Sequence, residues 1–145
     1  MQENLITFET AKLAKEKGFN IPTISYYNPK GRSEESEGYM TERLECSNWN
    51  DGQGSYPTLA KDVECSAPTQ SLLQKWLREV HNIHIEPQLS RNSQEEYKDW
   101  WFYLYPNLSG GRIKFFPSEI GEGLSYEKAL EIGLQEALKL IPNKK

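Results

Sequence analysis

The stretch "SAPTQSLLQKWLREVHNIHIEP", residues 66–87, sets a helix and a strand end to end with almost nothing between them. Ser66 and Thr69 are both suited to cap the helix, since a short side-chain oxygen accepts from the first unpaired amides. Pro68 suits a first turn, where a missing amide hydrogen is no loss. Leu72, Leu73, Trp76, Leu77 and Val80 recur at helical spacing and predict one apolar stripe. Gln70, Gln74, Lys75, Arg78 and Glu79 fall opposite it, with Lys75 and Glu79 one turn apart and able to pair. Past His81 the rhythm changes. Ile83 and Ile85 alternate with His84 and Glu86, which is the alternation of a strand.

Upstream, "TFETAKLAKEKGFNIP" predicts a short helix capped by Thr7, with Phe8, Ala11 and Ala14, and Leu13 alongside, as its modest apolar face. Gly18 stands where a left-handed terminator belongs, and Phe19 folds back on the last turn. "IPTISYYN" predicts a strand entered through Pro22. "PKGRSEESEG" predicts a polar turn or loop, and "YMTERLE" a partner strand, so that residues 21–45 form a long-looped hairpin. Downstream, "RNSQEEYKD" is a polar connection, "WWFYLYP" a strongly β-prone run, and "SGG" a turn leading into "RIKFFP". The last helix starts at Ser125 with Glu127 at its positive end. Its buried stripe is Leu130, Leu134, Ala137, Leu138 and Ile141, and Pro142 ends it. Gly133 inside this helix costs about 1 kcal/mol against Ala, which a close approach to a sheet or another helix would justify. The expected fold is α+β: a single domain of residues 1–145, mainly an antiparallel sheet of four to five strands packed with three helices, in the order α-β-β-α-β-β-β-α.

A length of 145 residues is enough for a genuine core. A net charge of -4 argues against general duplex DNA binding, which needs excess Lys and Arg to displace phosphate counterions. No apolar run is long enough to span a bilayer, so no membrane insertion is expected. Cys46 and Cys65 are able to close a loop in an oxidising compartment. The amino terminus lacks a basic segment followed by an apolar one, however, so reduced thiols in a cytoplasmic setting are the expectation. Two thiols also fall short of a structural zinc set.

Taken together, "TFETAKLAKEKGF" (7–19), "APTQSLLQKWLRE" (67–79) and "SYEKALEIGLQEALKLI" (125–141) resemble recurring segments of small uncharacterised proteins. These are encoded by phages, prophages and other mobile elements of Bacteroides-type bacteria. The resemblance covers the three helices, under a third of the chain, and its central segment is the most specific. It implies a bacterial or viral cytoplasmic setting and a compact fold. No catalytic residue transfers with it.

Two places invite a functional reading. Residues 46–66 are a long irregular loop holding Trp49 and Tyr56, either a ligand-contacting loop or a surface excursion anchored by its aromatics. In "DWWFYLYP", Trp100, Phe102 and Leu104 point one way and Trp101, Tyr103 and Tyr105 the other. Both faces are therefore apolar or aromatic. Either both are covered, by helices or in a homodimer, or one is a contact surface, with Arg112 and Lys114 alongside on the partner strand. Such a surface stacks bases or fits a protein groove.

Enzyme chemistry has weaker support. His81 and His84 are spaced to share a metal only on a continuous helix, and the helix ends between them, leaving His84 and Glu86 on one strand face. Two ligands are too few for a tight zinc site, so no metal and no cofactor is expected. "EYK", Glu96 to Lys98, resembles the acid-x-Lys half of a metal nuclease, without a partner acid placed beside it. "GEGLS" is an anion-cradling helix start or an ordinary turn. The leading expectation is a non-enzymatic accessory protein of a mobile element, binding a protein partner or small nucleotide-like ligand. Contact would run through Trp101, Tyr103 and Tyr105 or through the 46–66 loop. The alternatives are a small metal-dependent hydrolase or nuclease using His84, Glu86 and Glu96, and a self-associating structural domain.

Overall fold

The computed structural model describes residues 3–35, 48–51, 63–90, 99–106, 111, 113–115 and 125–143. Its elements run α1 (Phe8–Glu16), β1 (Ser25–Tyr27), β2 (Ser33–Glu35), a 3-10 turn (Trp49–Asp51), β3 (Cys65–Ser66), α2 (Gln70–His81), β4 (His84–Ser90), β5 (Asp99–Tyr105), β6 (Ile113–Phe115) and α3 (Tyr126–Lys139). The class is α+β with all strand pairs antiparallel. Among the described residues the strands form two three-stranded sheets, β2-β1-β3 and β4-β5-β6, rather than the one sheet of four to five strands expected. The physical reason is β3, two residues inside the stretch read as irregular, which gives β1 a second partner and completes an amino-terminal sheet. The chain gathers into two compact units, residues 1–72 with 142–145, and residues 73–141.

In the first unit, Thr7 caps α1 by accepting from the Thr10 amide at 3.3 Å, and Ala11 and Ala14 are fully buried. The helix ends as its sequence dictates. Gly18 adopts φ 92°, its amide reaches Lys15 O, and the Phe19 amide reaches Ala14 O at 3.0 Å. This is the Schellman arrangement, and it buries the Phe19 ring. Strand β1 turns sharply into β2 through Asn28, whose side-chain oxygen accepts from the amides of Lys30 and Arg32 at 3.0 Å each. The partner strand is therefore "SEE" within the segment expected to be a loop, and the long-looped hairpin is replaced by a tight one. The expected strand "YMTERLE" lies outside the described residues. An Asx turn at Asn28 favours the short closure.

The start of the chain runs along the entry to α2. Leu5 bridges Thr69, the Ile6 amide reaches Pro68 O at 3.0 Å, and the Gln70 amide reaches Asn4 O at 2.9 Å. Thr69 is the cap, accepting from the Leu72 amide at 3.2 Å, so Pro68 stands ahead of the first turn rather than within it. Tyr27 is buried in this unit, donating to Ile6 O and meeting the Phe8 ring edge-on at 5.4 Å. Cys65 is a buried free thiol, and burial pushes its pKa up to about 11, which makes it unreactive at neutral pH. Cys46 lies outside the described residues.

In the second unit, Leu73, Trp76 and Leu77 of α2 are buried, while Val80 is 59% exposed and drops out of the expected stripe. Gln74, expected to face solvent, instead donates to Ile85 O at 3.0 Å, and Gln70 is buried. Gln70 and Gln74, one turn apart, flank Leu73 and Leu77 and widen the buried side of the helix. Val80 keeps the side of Leu73, Trp76 and Leu77 by spacing but stands in the last turn of α2, where it is exposed. The Lys75–Glu79 pair is present at 3.9 Å with both side chains exposed, a geometry worth little. Asn82, at φ 55°, closes the helix, and the Ile83 amide returns to Leu77 O at 3.0 Å before β4 begins.

Helix α3 packs on β4 and β5. Ser125 caps it, accepting from the Lys128 amide at 3.2 Å, and Leu130, Leu134, Ala137, Leu138 and Ile141 are all buried. At Gly133 an added Cβ would lie 3.0 Å from Ile85 Cγ2 and 3.4 Å from the Phe102 ring. The glycine is thus the point where helix backbone and sheet side chains meet, the close approach its position implied.

Candidate functional site

Strand β5 is the centre of the β4-β5-β6 sheet, and its alternation assigns the two faces. Phe102 and Leu104 are buried at 0% and 1% exposure, on the side of Ile85 and α3. The Trp100 side chain lies outside the described residues. Trp101, Tyr103 and Tyr105 occupy the other face and are half-buried. Their rings form a row: Trp101 meets Tyr103 edge-on at 4.6 Å and 78°, and Tyr103 meets Tyr105 tilted at 6.3 Å. Edge-to-face spacing of this kind is the favoured geometry of aromatic pairs, and it holds each ring in a fixed attitude.

Antiparallel register sets a polar row beside the aromatic one. Gln88 stands opposite Trp101, Glu86 opposite Tyr103 and His84 opposite Tyr105. The Glu86 carboxylate is exposed and held at both oxygens: Gln88 Nε2 donates to Oε1 at 2.7 Å, and the Tyr105 hydroxyl donates to Oε2 at 3.1 Å. Both donors are neutral, so they orient the carboxylate without cancelling its charge. His84 Nε2 lies 3.3 Å from Asn82 Oδ1. On the other side of β5, Lys114 pairs in register with Tyr103. Arg112 lies outside the described residues. Pro87, opposite Phe102, is tolerated because β4 is an edge strand.

The remaining candidates are dispersed. Trp49 is half-buried, donates its indole N–H to Thr23 O at 2.8 Å and packs on Tyr26 at 4.7 Å. It serves as an anchor of the first unit. Beside it Asn50, which nothing in the sequence had singled out, donates to Phe19 O and accepts from the Ser66 amide, both at 2.8 Å. One amide side chain so ties the end of α1 to β3. Its only sequence signal is an Asn next to a loop Trp. Tyr56 and Glu96 lie outside the described residues.

The two histidines part company. His81 ends α2 with its ring edge-on to Trp76 at 4.5 Å, whereas His84 sits on the strand face. Burial lowers the His81 pKa, and its Nε2 is buried with no hydrogen-bond partner among the described residues. No group of three or more His, Cys, Asp or Glu placed to hold a metal occurs among the described residues. No helix among them is long and apolar enough to cross a membrane. Comparison with protein-family models, with curated proteins and with solved structures found no match to this chain.

Proposed function

We propose that the chain is a non-enzymatic accessory protein, in the bacterial or phage setting its three helical segments suggest. In this reading it docks a polypeptide segment on the face made by β4 and β5. The observation that carries this is the ring row Trp101–Tyr103–Tyr105, only half-buried on one side of a sheet whose other side is filled by α3. Aromatic residues concentrate binding energy at protein interfaces because they bury much area for few frozen rotamers. A small nucleotide-like ligand suits the face less well, because the fixed carboxylate of Glu86 stands beside the rings and repels phosphate.

Selection from a displayed peptide library tests it. The intact chain is expected to enrich sequences whose binding is weakened at least about tenfold by Trp101→Ala and by Tyr103→Ala. Each variant should lose a few degrees of melting temperature with its ring contacts but keep a cooperative folded state. Enrichment that ignores both substitutions would overturn the reading, and so would unfolding of both variants, which would make the rings core.

A further inference from the structure

We infer that the β4–β5 face recognises a cationic side chain, arginine or lysine, of the docked polypeptide, with Glu86 as its counter-charge and the Trp101 and Tyr103 rings as its walls. The inference rests on the docking reading above and adds the chemistry of the partner. Its basis is what surrounds the carboxylate. Glu86 lies directly across from Tyr103 in the strand register, at the edge of the ring row. Gln88 and Tyr105 grip its two oxygens from neighbouring positions, and no cation pairs with it among the described residues.

An exposed carboxylate held by two neutral donors costs little further ordering when a cation arrives, because its rotamer is already fixed. Aromatic faces attract the same cation through the ring quadrupole, best for Trp and then Tyr. Guanidinium adds a planar fork able to take a carboxylate while stacking on a ring. The chain as a whole carries a net charge of -4, so the long-range field also favours a basic partner. Carboxylate, rings and net charge select the same sign on the β4 side of the row, and Lys114, paired with Tyr103 on β6, stands on the far side of it from Glu86.

The test is an amide chemical-shift titration of the intact protein with three probes: Ac-Gly-Arg-Gly-Arg-Gly-NH2, its counterpart with Glu for Arg, and AMP. The arginine peptide is expected to shift amides of residues 84–86, 88 and 101–105. Glu86→Gln keeps the size and the acceptor oxygen for Tyr105, and should weaken this binding about tenfold. Glu79→Gln, on the exposed face of α2, should leave it unchanged. The inference is overturned if the arginine peptide leaves these amides unmoved, if Glu86→Gln binds it as well as the parent, or if the Glu peptide or AMP binds equally tightly. Selected peptides that need Trp101 and Tyr103 but carry no basic residue and ignore Glu86→Gln would sink the cation alone and leave the docking face standing. Loss of any dependence on the two rings would sink both.

Discussion

His81 ends α2 with one ring nitrogen buried and unpartnered among the described residues, and its ring edge-on to Trp76. Two influences act on it with opposite sign. The carbonyl end of the helix favours the imidazolium, and removal from water favours the neutral ring. Burial prevails, because the pKa lies below its ordinary 6.5. As pH falls through that ordinary value, the unfolded chain takes up a proton that the folded chain still refuses, so stability is lost on acidification. Above it both states are neutral and the residue contributes no slope. The urea midpoint should therefore drop from about pH 7.5 to about pH 5.5 by more in the parent than in His81→Phe, which keeps a ring against Trp76 and cannot titrate. Equal drops in the two proteins would show that the ring is solvated in its charged form.

At the level of elements, the contact of α3 with the sheet is set by the absence of a side chain at Gly133. A methyl there would stand 3.0 Å from Ile85 Cγ2 and 3.4 Å from Phe102, and Phe102, at 0% exposure, has nowhere to retreat. Alanine gains about 1 kcal/mol of helix propensity, while overpacking costs about 1–3 kcal/mol. The balance puts Gly133→Ala about 1 kcal/mol less stable, or about 3 °C lower in melting temperature by calorimetry. A rise instead would mean that helix and sheet can part without loss. This glycine, the caps Thr7, Thr69 and Ser125, the terminator Gly18 and the alternation of 101–105 were legible because each is a local rule acting on a few neighbours. The short hairpin at Asn28, the two-residue β3 and the bridge at Asn50 were not. Their partners lie in other segments, and a two-residue strand is too brief to show a period. Gln74 was misassigned for the same reason, since its exposure depends on the Ile85 carbonyl, which helical spacing alone does not reveal.

For the whole molecule, charge decides which class of macromolecule the aromatic row meets. An aromatic row alone suits a nucleic acid base as well as an arginine. Duplex or single-stranded DNA brings a dense row of phosphates, and affinity for it comes chiefly from releasing counterions in exchange for Lys and Arg. This chain offers 17 such residues against 21 Asp and Glu, and the carboxylate beside its rings is held in place by Tyr105 and Gln88. A phosphate backbone laid along β5 would face that carboxylate on the β4 side, with Lys114, paired with Tyr103 on β6, as the cation the register sets beside the row to offset part of the repulsion. Anisotropy with a labelled duplex of about 20 base pairs, and with its single strand, at about 0.15 M salt should accordingly show dissociation constants weaker than about 100 µM. The basic peptide, meeting the opposite sign, should bind more weakly as salt rises, because its attraction to an exposed carboxylate is screened. Micromolar binding of either DNA, or peptide binding indifferent to salt, would mean that stacking and apolar burial outweigh the net charge, and the partner would then have to be sought among nucleic acids or neutral segments.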